Sequence, residues 1–196
     1  VSPSNIIIAG DSAGGNLALQ LSSQLLHPHA SLPSLRLPHP ATASDSGSSE
    51  FSGPFGGLVL ISPWLEYNAD ADSFARNSTR DYIPQHSWKM FGEIIQQDVA
   101  PALRHHFEPG VAPRGWWKGL GRVFPRVLIT AGEFEGCVDH IEKTAAAIAE
   151  EVQDTTVFVL TGGVHEDFID AFASGEGGRG DDYKIVVSWL STSLKL

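Results

Sequence analysis

The sequence holds a single cysteine, Cys137, which excludes an intrachain disulfide framework and any metal motif built on paired thiols. Histidines are more plentiful, yet no two are spaced four apart on one helix as a zinc pair would require. No metal and no cofactor are implied. Basic residues are scarce: 13 Lys and Arg stand against 23 Asp and Glu, a formal net charge of -10. Nucleic acid and anionic membranes both demand basic patches, so neither is the expected partner. Long hydrophobic runs are missing as well. The longest aliphatic run lies near residues 58–61, far too short to span a bilayer, so no transmembrane segment is expected. The opening Val1-Ser2-Pro3-Ser4-Asn5 has neither the basic start nor the apolar stretch of a signal peptide. A reducing, cytoplasmic location is the compatible expectation. The remaining composition, 42% hydrophobic and 18% charged over 196 residues, suits a single globular domain with a real core.

Four short apolar runs, at 6–9, 58–61, 127–130 and 157–160, read as buried parallel strands. Between and after them lie helical patterns. Residues 13–26 carry Leu17, Leu21 and Leu25 at a spacing of four, and 139–152 carry Ile141, Ala145, Ile148 and Val152. A last pattern, 181–196, presents Ile185, Val186, Trp189, Leu190 and Leu194. Strands alternating with helices predict an α/β fold, a parallel sheet flanked by helices. Right-handed crossovers would place every strand's C-terminal end on one rim. Two stretches do not fit simple crossovers. Residues 28–57 are rich in Pro, Ser and Gly and are expected to form a flexible insertion. Residues 66–126, with a helical stretch at 87–97, are expected to form a cap or lid. Trp64, Tyr67, Phe74, Tyr82, Trp88, Phe91, Phe107, Trp116 and Trp117 concentrate between the second and third strands. They suit an acyl or alcohol pocket, although for most of them packing of a small cap is the better expectation.

The chemistry begins at Gly10-Asp11-Ser12-Ala13-Gly14, a G-x-S-x-G string between a strand and a helix. Such a turn strains the serine backbone and presents its hydroxyl at a helix N-terminus, where free N–H groups favour an oxyanion. Ser12 is the expected nucleophile and the Ala13 N–H one oxyanion donor. A phosphate-binding loop would want a lysine at the helix start, and residues 13–24 contain none. The base and acid must follow at strand ends. His165 is the only one of the eight histidines at a strand's C-terminal rim in the required order. His27, His29 and His39 fall in the insertion, His86, His105 and His106 in the cap, and His140 opens a helix. Glu133, Glu135 and Asp139 all follow the third strand.

The wider string Gly10-Asp11-Ser12-Ala13-Gly14-Gly15-Asn16-Leu17-Ala18, with Ser62-Pro63-Trp64 after the second strand, resembles the hormone-sensitive-lipase-like family of α/β-hydrolases. The resemblance implies the C-terminal part of an α/β-hydrolase with an inserted cap, a serine carboxylester hydrolase with a triad in the order Ser, acid, His. It puts the acid on Glu135 and a helix-leading carboxylate on Asp139. Here Glu replaces the commoner Asp, and Gly136-Cys137 stands where the family has Pro-Leu, so Glu133 and Asp139 stay open as alternatives. Gly162-Gly163-Val164-His165, shortly before Phe168, resembles the family's histidine loop and implies His165 as base. The resemblance favours a short acyl or acetyl ester, and the Glu133, Glu135 and Asp139 cluster resembles fungal steryl-acetyl-hydrolase-like members. A peptidase or amidase would use the same triad, and a non-catalytic binding module of this fold is the competing class.

The family's His-Gly-Gly-Gly oxyanion loop does not occur in these residues. The start at Val1 and the missing early strands lead to the expectation of a partial chain, weakly active or inactive alone. One edge of the first strand would then be open, inviting self-association.

Overall fold

The computed structural model describes residues 2–31, 55–178 and 180–194. Most of the expected insertion, 32–54, lies outside the described residues. Four strands, β1 (Ile7–Asp11), β2 (Gly57–Ile61), β3 (Arg126–Gly132) and β4 (Asp154–Leu160), form one parallel sheet in chain order. Parallel neighbours need a crossover. The chain supplies α1 (Ser12–Leu26) after β1, a long helical segment after β2, and α6 (Val138–Ala149) after β3. That long segment carries α2 (Asp72–Arg76), α3 (Gln85–Gln96), α4 (Arg104–Phe107) and α5 (Leu120–Val123). After β4 come α7 (Asp167–Ala173) and α8 (Asp181–Leu194).

Crossovers of one hand that always step in one direction stack on one face of the sheet. The core shows that division. Leu58 and Leu60 of β2 and Val127 and Ile129 of β3 pack with Leu19 of α1 and Ile141 and Ile148 of α6. Val59 and Leu128, pointing the other way by the two-residue period of a strand, meet Val186 and Trp189 of α8. Burial on both faces is why these strands read as unbroken apolar runs. The predicted faces of α6 and α8 hold at their centres, with Ile141, Ala145, Ile148 and Val152 buried alongside Val186 and Trp189. Leu194 stands exposed.

The face predicted for α1 is offset. Leu17 is 64% exposed, while Leu19, Ser22, Ser23 and Leu25 are buried. Apolar spacing misplaced the face because two buried positions are serines whose hydroxyls are satisfied. Ser22 Oγ donates to Ala18 O at 2.7 Å, and Ser23 Oγ accepts from Trp116 Nε1 at 3.1 Å.

Among the described residues, β1 pairs only with β2, leaving its other edge open. Of the aromatics between β2 and β3, Trp64, Tyr67, Phe74, Trp88 and Trp117 are buried in the main core, whereas Tyr82 and Phe91 are exposed. No helix among the described residues is long and apolar enough to cross a membrane.

Candidate active site

β1 ends at Asp11 and α1 begins at Ser12 with no residue between. Ser12 sits at φ 45°, in the left-handed region that a non-glycine residue occupies only under constraint. The constraint is visible around it. A Cβ on Gly10 would overlap the Gly14 carbonyl, and one on Gly15 would lie 2.7 Å from Pro63 Cβ. Gly14, by contrast, has ordinary room, its nearest neighbour being Asp11 Oδ1 at 3.5 Å. The turn is also pinned to the end of β2, since Trp64 N–H donates to Ser12 O at 3.0 Å and Asn16 Nδ2 donates to Trp64 O at 2.7 Å. Ala13 lies in the first turn of α1, where backbone N–H groups lack intrahelical partners, and Asp11 is the exposed residue that leads into it.

Across the rim, the loops after β3 and β4 bring an acid and a histidine to Ser12. His165 Nε2 lies 2.9 Å from Ser12 Oγ, and its Nδ1 lies 3.0 Å from Glu135 Oε2. His165 and Glu135 are almost wholly buried. Glu135 Oε1 accepts from Ser62 Oγ at 2.6 Å and from the Gly132 N–H, while Cys137 Sγ donates to Oε2 at 3.3 Å. Three donors besides His165 thus hold a carboxylate that would otherwise be costly to bury.

The other two carboxylates face elsewhere. Asp139 accepts from Ser73 N–H at 2.9 Å and pairs with Arg76 at 2.6 Å. Its carboxyl lies below its ordinary value: partial burial works upward, and the Arg76 and Ser73 hydrogen bonds outweigh it. Glu133 accepts the Gly162 N–H at 2.8 Å and so ties the acid loop to the histidine loop.

Burial works to lower the His165 imidazolium, but the Glu135 hydrogen bond and charge, with Glu166 and Asp81 beyond, outweigh it and raise the group above its ordinary value. Burial first, and the Glu135 charge second, push the Cys137 thiol well up. Ligand atoms of Glu135, Cys137 and His165 lie within 4.8 Å of one another. Cys137 Sγ and His165 Nδ1 both meet Glu135 Oε2, so in the structure the three side chains form one hydrogen-bonded network.

Two contributors escaped sequence reasoning. Ser62, known only as the start of Ser-Pro-Trp, has φ 44° and donates to Glu135. Asp81 accepts the Gly136 N–H at 2.9 Å and the His165 N–H at 3.3 Å. Neither carries a local signal, because their partners lie more than 50 residues away in the chain.

The fold is shared with solved esterases. The structure is similar to a mutant of the esterase E40, with TM-score 0.70 and 20% identity over 99% of this chain and 54% of that one. It is similar to carboxyl esterase 2 from the mycorrhizal fungus Tuber melanosporum, with TM-score 0.69 and 18% identity over 100% of this chain and 55% of that one. An esterase of the bacterial hormone-sensitive lipase family aligns with TM-score 0.68 and 19% identity, over 99% of this chain and 54% of that one. The chain therefore spans about half the length of the solved proteins it resembles. No curated protein sequence matches it. A family model described as alpha/beta hydrolase fold matches residues 1–169, and with most of its length so accounted for, the chain belongs to the α/β-hydrolase fold family.

Proposed function

We propose that the chain carries the nucleophile, base and acid of a serine carboxylester hydrolase acting on short acyl or acetyl esters. The observation that carries this reading is the hydrogen-bonded line Ser12 Oγ, His165 Nε2 and Nδ1, Glu135 Oε2, with contacts of 2.9 and 3.0 Å. In this reading His165 takes the Ser12 proton as the hydroxyl oxygen attacks the ester carbonyl. Glu135 accepts the Nδ1–H and so directs the free lone pair of Nε2 at Ser12. The oxyanion gathers at the start of α1, where the Ala13 N–H is the donor assigned to it. The imidazolium then protonates the leaving alcohol, and water, deprotonated by His165, releases the acid from Ser12. The buried Glu135 stabilises the transient imidazolium without being protonated itself. Gly10, Asp11 and Gly14 complete the elbow, and residues 66–126 are assigned as the cap.

The 196-residue polypeptide is assigned weak turnover. One oxyanion donor fewer costs about 10²–10³ in kcat, and no His-Gly-Gly-Gly run lies within these residues. A fluorophosphonate probe and p-nitrophenyl acetate test the reading. Ser12 is expected to be labelled, and Ser12→Ala to lose labelling and to lower kcat by on the order of 10⁴–10⁶. Persistent labelling of the alanine variant would sink the assignment.

A further inference from the structure

Ser62 and Asp81 each grip the acid loop and the histidine loop at the same time. The Ser62 hydroxyl donates to Glu135 Oε1 at 2.6 Å and accepts the Glu166 N–H at 3.1 Å. The Asp81 carboxylate accepts the Gly136 N–H at Oδ2, 2.9 Å, and the His165 N–H at Oδ1, 3.3 Å. Gly136 follows the acid and Glu166 follows the histidine, so both brackets close directly on the Glu135–His165 pair. Both come from the segment beyond β2, which belongs to neither loop.

Ser62 is the stronger clue. It is 3% exposed and held at φ 44°, a conformation that glycine would adopt without strain. A serine kept there needs another reason, and its hydroxyl supplies one. A hydroxyl has one proton to give, and this one goes to the acid. With Ser62 and the Gly132 N–H both on Oε1, the carboxylate is oriented with Oε2 towards His165 Nδ1. That matters more for glutamate than for aspartate, because the extra methylene adds a rotatable bond whose freedom must be removed.

We propose that Ser62 and Asp81 are positioning residues that hold Glu135 and His165 at hydrogen-bonding separation. This rests on the triad reading above and adds two members that act through it. Ser62→Gly keeps the left-handed backbone and removes the hydroxyl. Asp81→Asn keeps the shape but leaves one acceptor oxygen for three N–H donors, those of Tyr82, Gly136 and His165. In the full chain each is expected to lower kcat for p-nitrophenyl acetate about tenfold with KM within about twofold, since orientation and not binding is lost.

The pH profile separates positioning from loss of structure. The charged groups around His165 are Glu135, Glu166 and Asp81. Removing the Ser62 donor concentrates the Glu135 charge on His165, so the acidic limb moves to higher pH. Removing the Asp81 charge moves it to lower pH. A variant that merely loosens the fold moves neither limb in a set direction. The low-field proton resonance of His165 Nδ1–H gives a readout independent of turnover, expected to shift in both variants. Parent-like kcat, limb and resonance in both variants would overturn the proposal, as would a kcat loss that only follows the unfolded fraction. If Ser12→Ala is labelled as the parent is, the esterase reading fails by itself, and the resonance still decides the positioning roles.

Discussion

Three carboxylates follow β3 within seven residues, and their surroundings divide their work. Glu135 faces His165, Asp139 faces Arg76 and Ser73, and Glu133 caps the turn at Gly162. Replacing Glu135 or Asp139 by its amide should therefore give different results. Glu135→Gln removes the charge that raises His165, so the acidic limb of esterase activity moves to lower pH while the rate falls about 10³–10⁴-fold. Asp139→Asn should leave that limb in place and lower only stability, read as a smaller urea midpoint. The same raised imidazolium has a stability consequence. Its folded value lies above the unfolded value of about 6.5, so its contribution is complete below that pH and is lost as pH rises through the folded value. Glu135→Gln should flatten that slope above about pH 6.5, where the raised imidazolium titrates in the parent.

The glycines of the strand–turn–helix element have unequal duties. Gly10 has the Gly14 carbonyl where a side chain would go, whereas Gly14 faces open room apart from an ordinary contact with Asp11. Gly10→Ala should displace the start of α1, costing about 1–3 kcal/mol and abolishing fluorophosphonate labelling of Ser12. Gly14→Ala lies inside the helix, where alanine is favoured by about 0.5–1 kcal/mol, and should leave the denaturation midpoint equal or higher. Denaturant titration of the two variants checks the contrast. The motif therefore contains one glycine required by close packing of backbone on backbone and another that this packing does not explain. A second element, the turn after β2, works in a similar way. Ser62, Pro63 and Trp64 meet Glu135, Gly15 and the Ser12 carbonyl in succession, so one tripeptide anchors both the Glu135 loop and the Ser12 turn.

At the scale of the whole molecule, β1 stands at one edge of the sheet formed by the described residues. β1 is bonded on one side only among the described residues, and its Ala9 is exposed, as is Leu17 of α1. An apolar strand with free backbone donors and acceptors is a template for pairing. The 196-residue polypeptide is accordingly expected to self-associate. Light scattering after gel filtration should show mass rising with concentration, and replacing Ile7 by lysine should reduce it. A strictly monomeric species at all concentrations would show that the edge is harmless in this chain.

The strands, the helices after β1 and β3, and the Ser12 elbow were legible in the sequence because each rests on local chemistry. Apolar runs, a helical period and a glycine-rich turn are interactions among near neighbours. The same holds for His165, singled out by its place after the last strand. Other features depend on residues far apart in the chain. Which face of α1 is buried followed from Ser22 and Ser23 finding hydroxyl partners, one of them more than 80 residues away, and no apolar count registers that. Three carboxylates after β3 were legible as candidates for the histidine's partner, but only the paths of two loops decide which one meets the imidazole. Ser62 and Asp81 were invisible for the same reason, since a hydrogen bond across the rim leaves no periodic trace. Composition and local pattern determined the kind of fold and where its chemistry begins; long-range packing alone decided which side chains surround Ser12, because that packing sets distances between segments that the chain order leaves free.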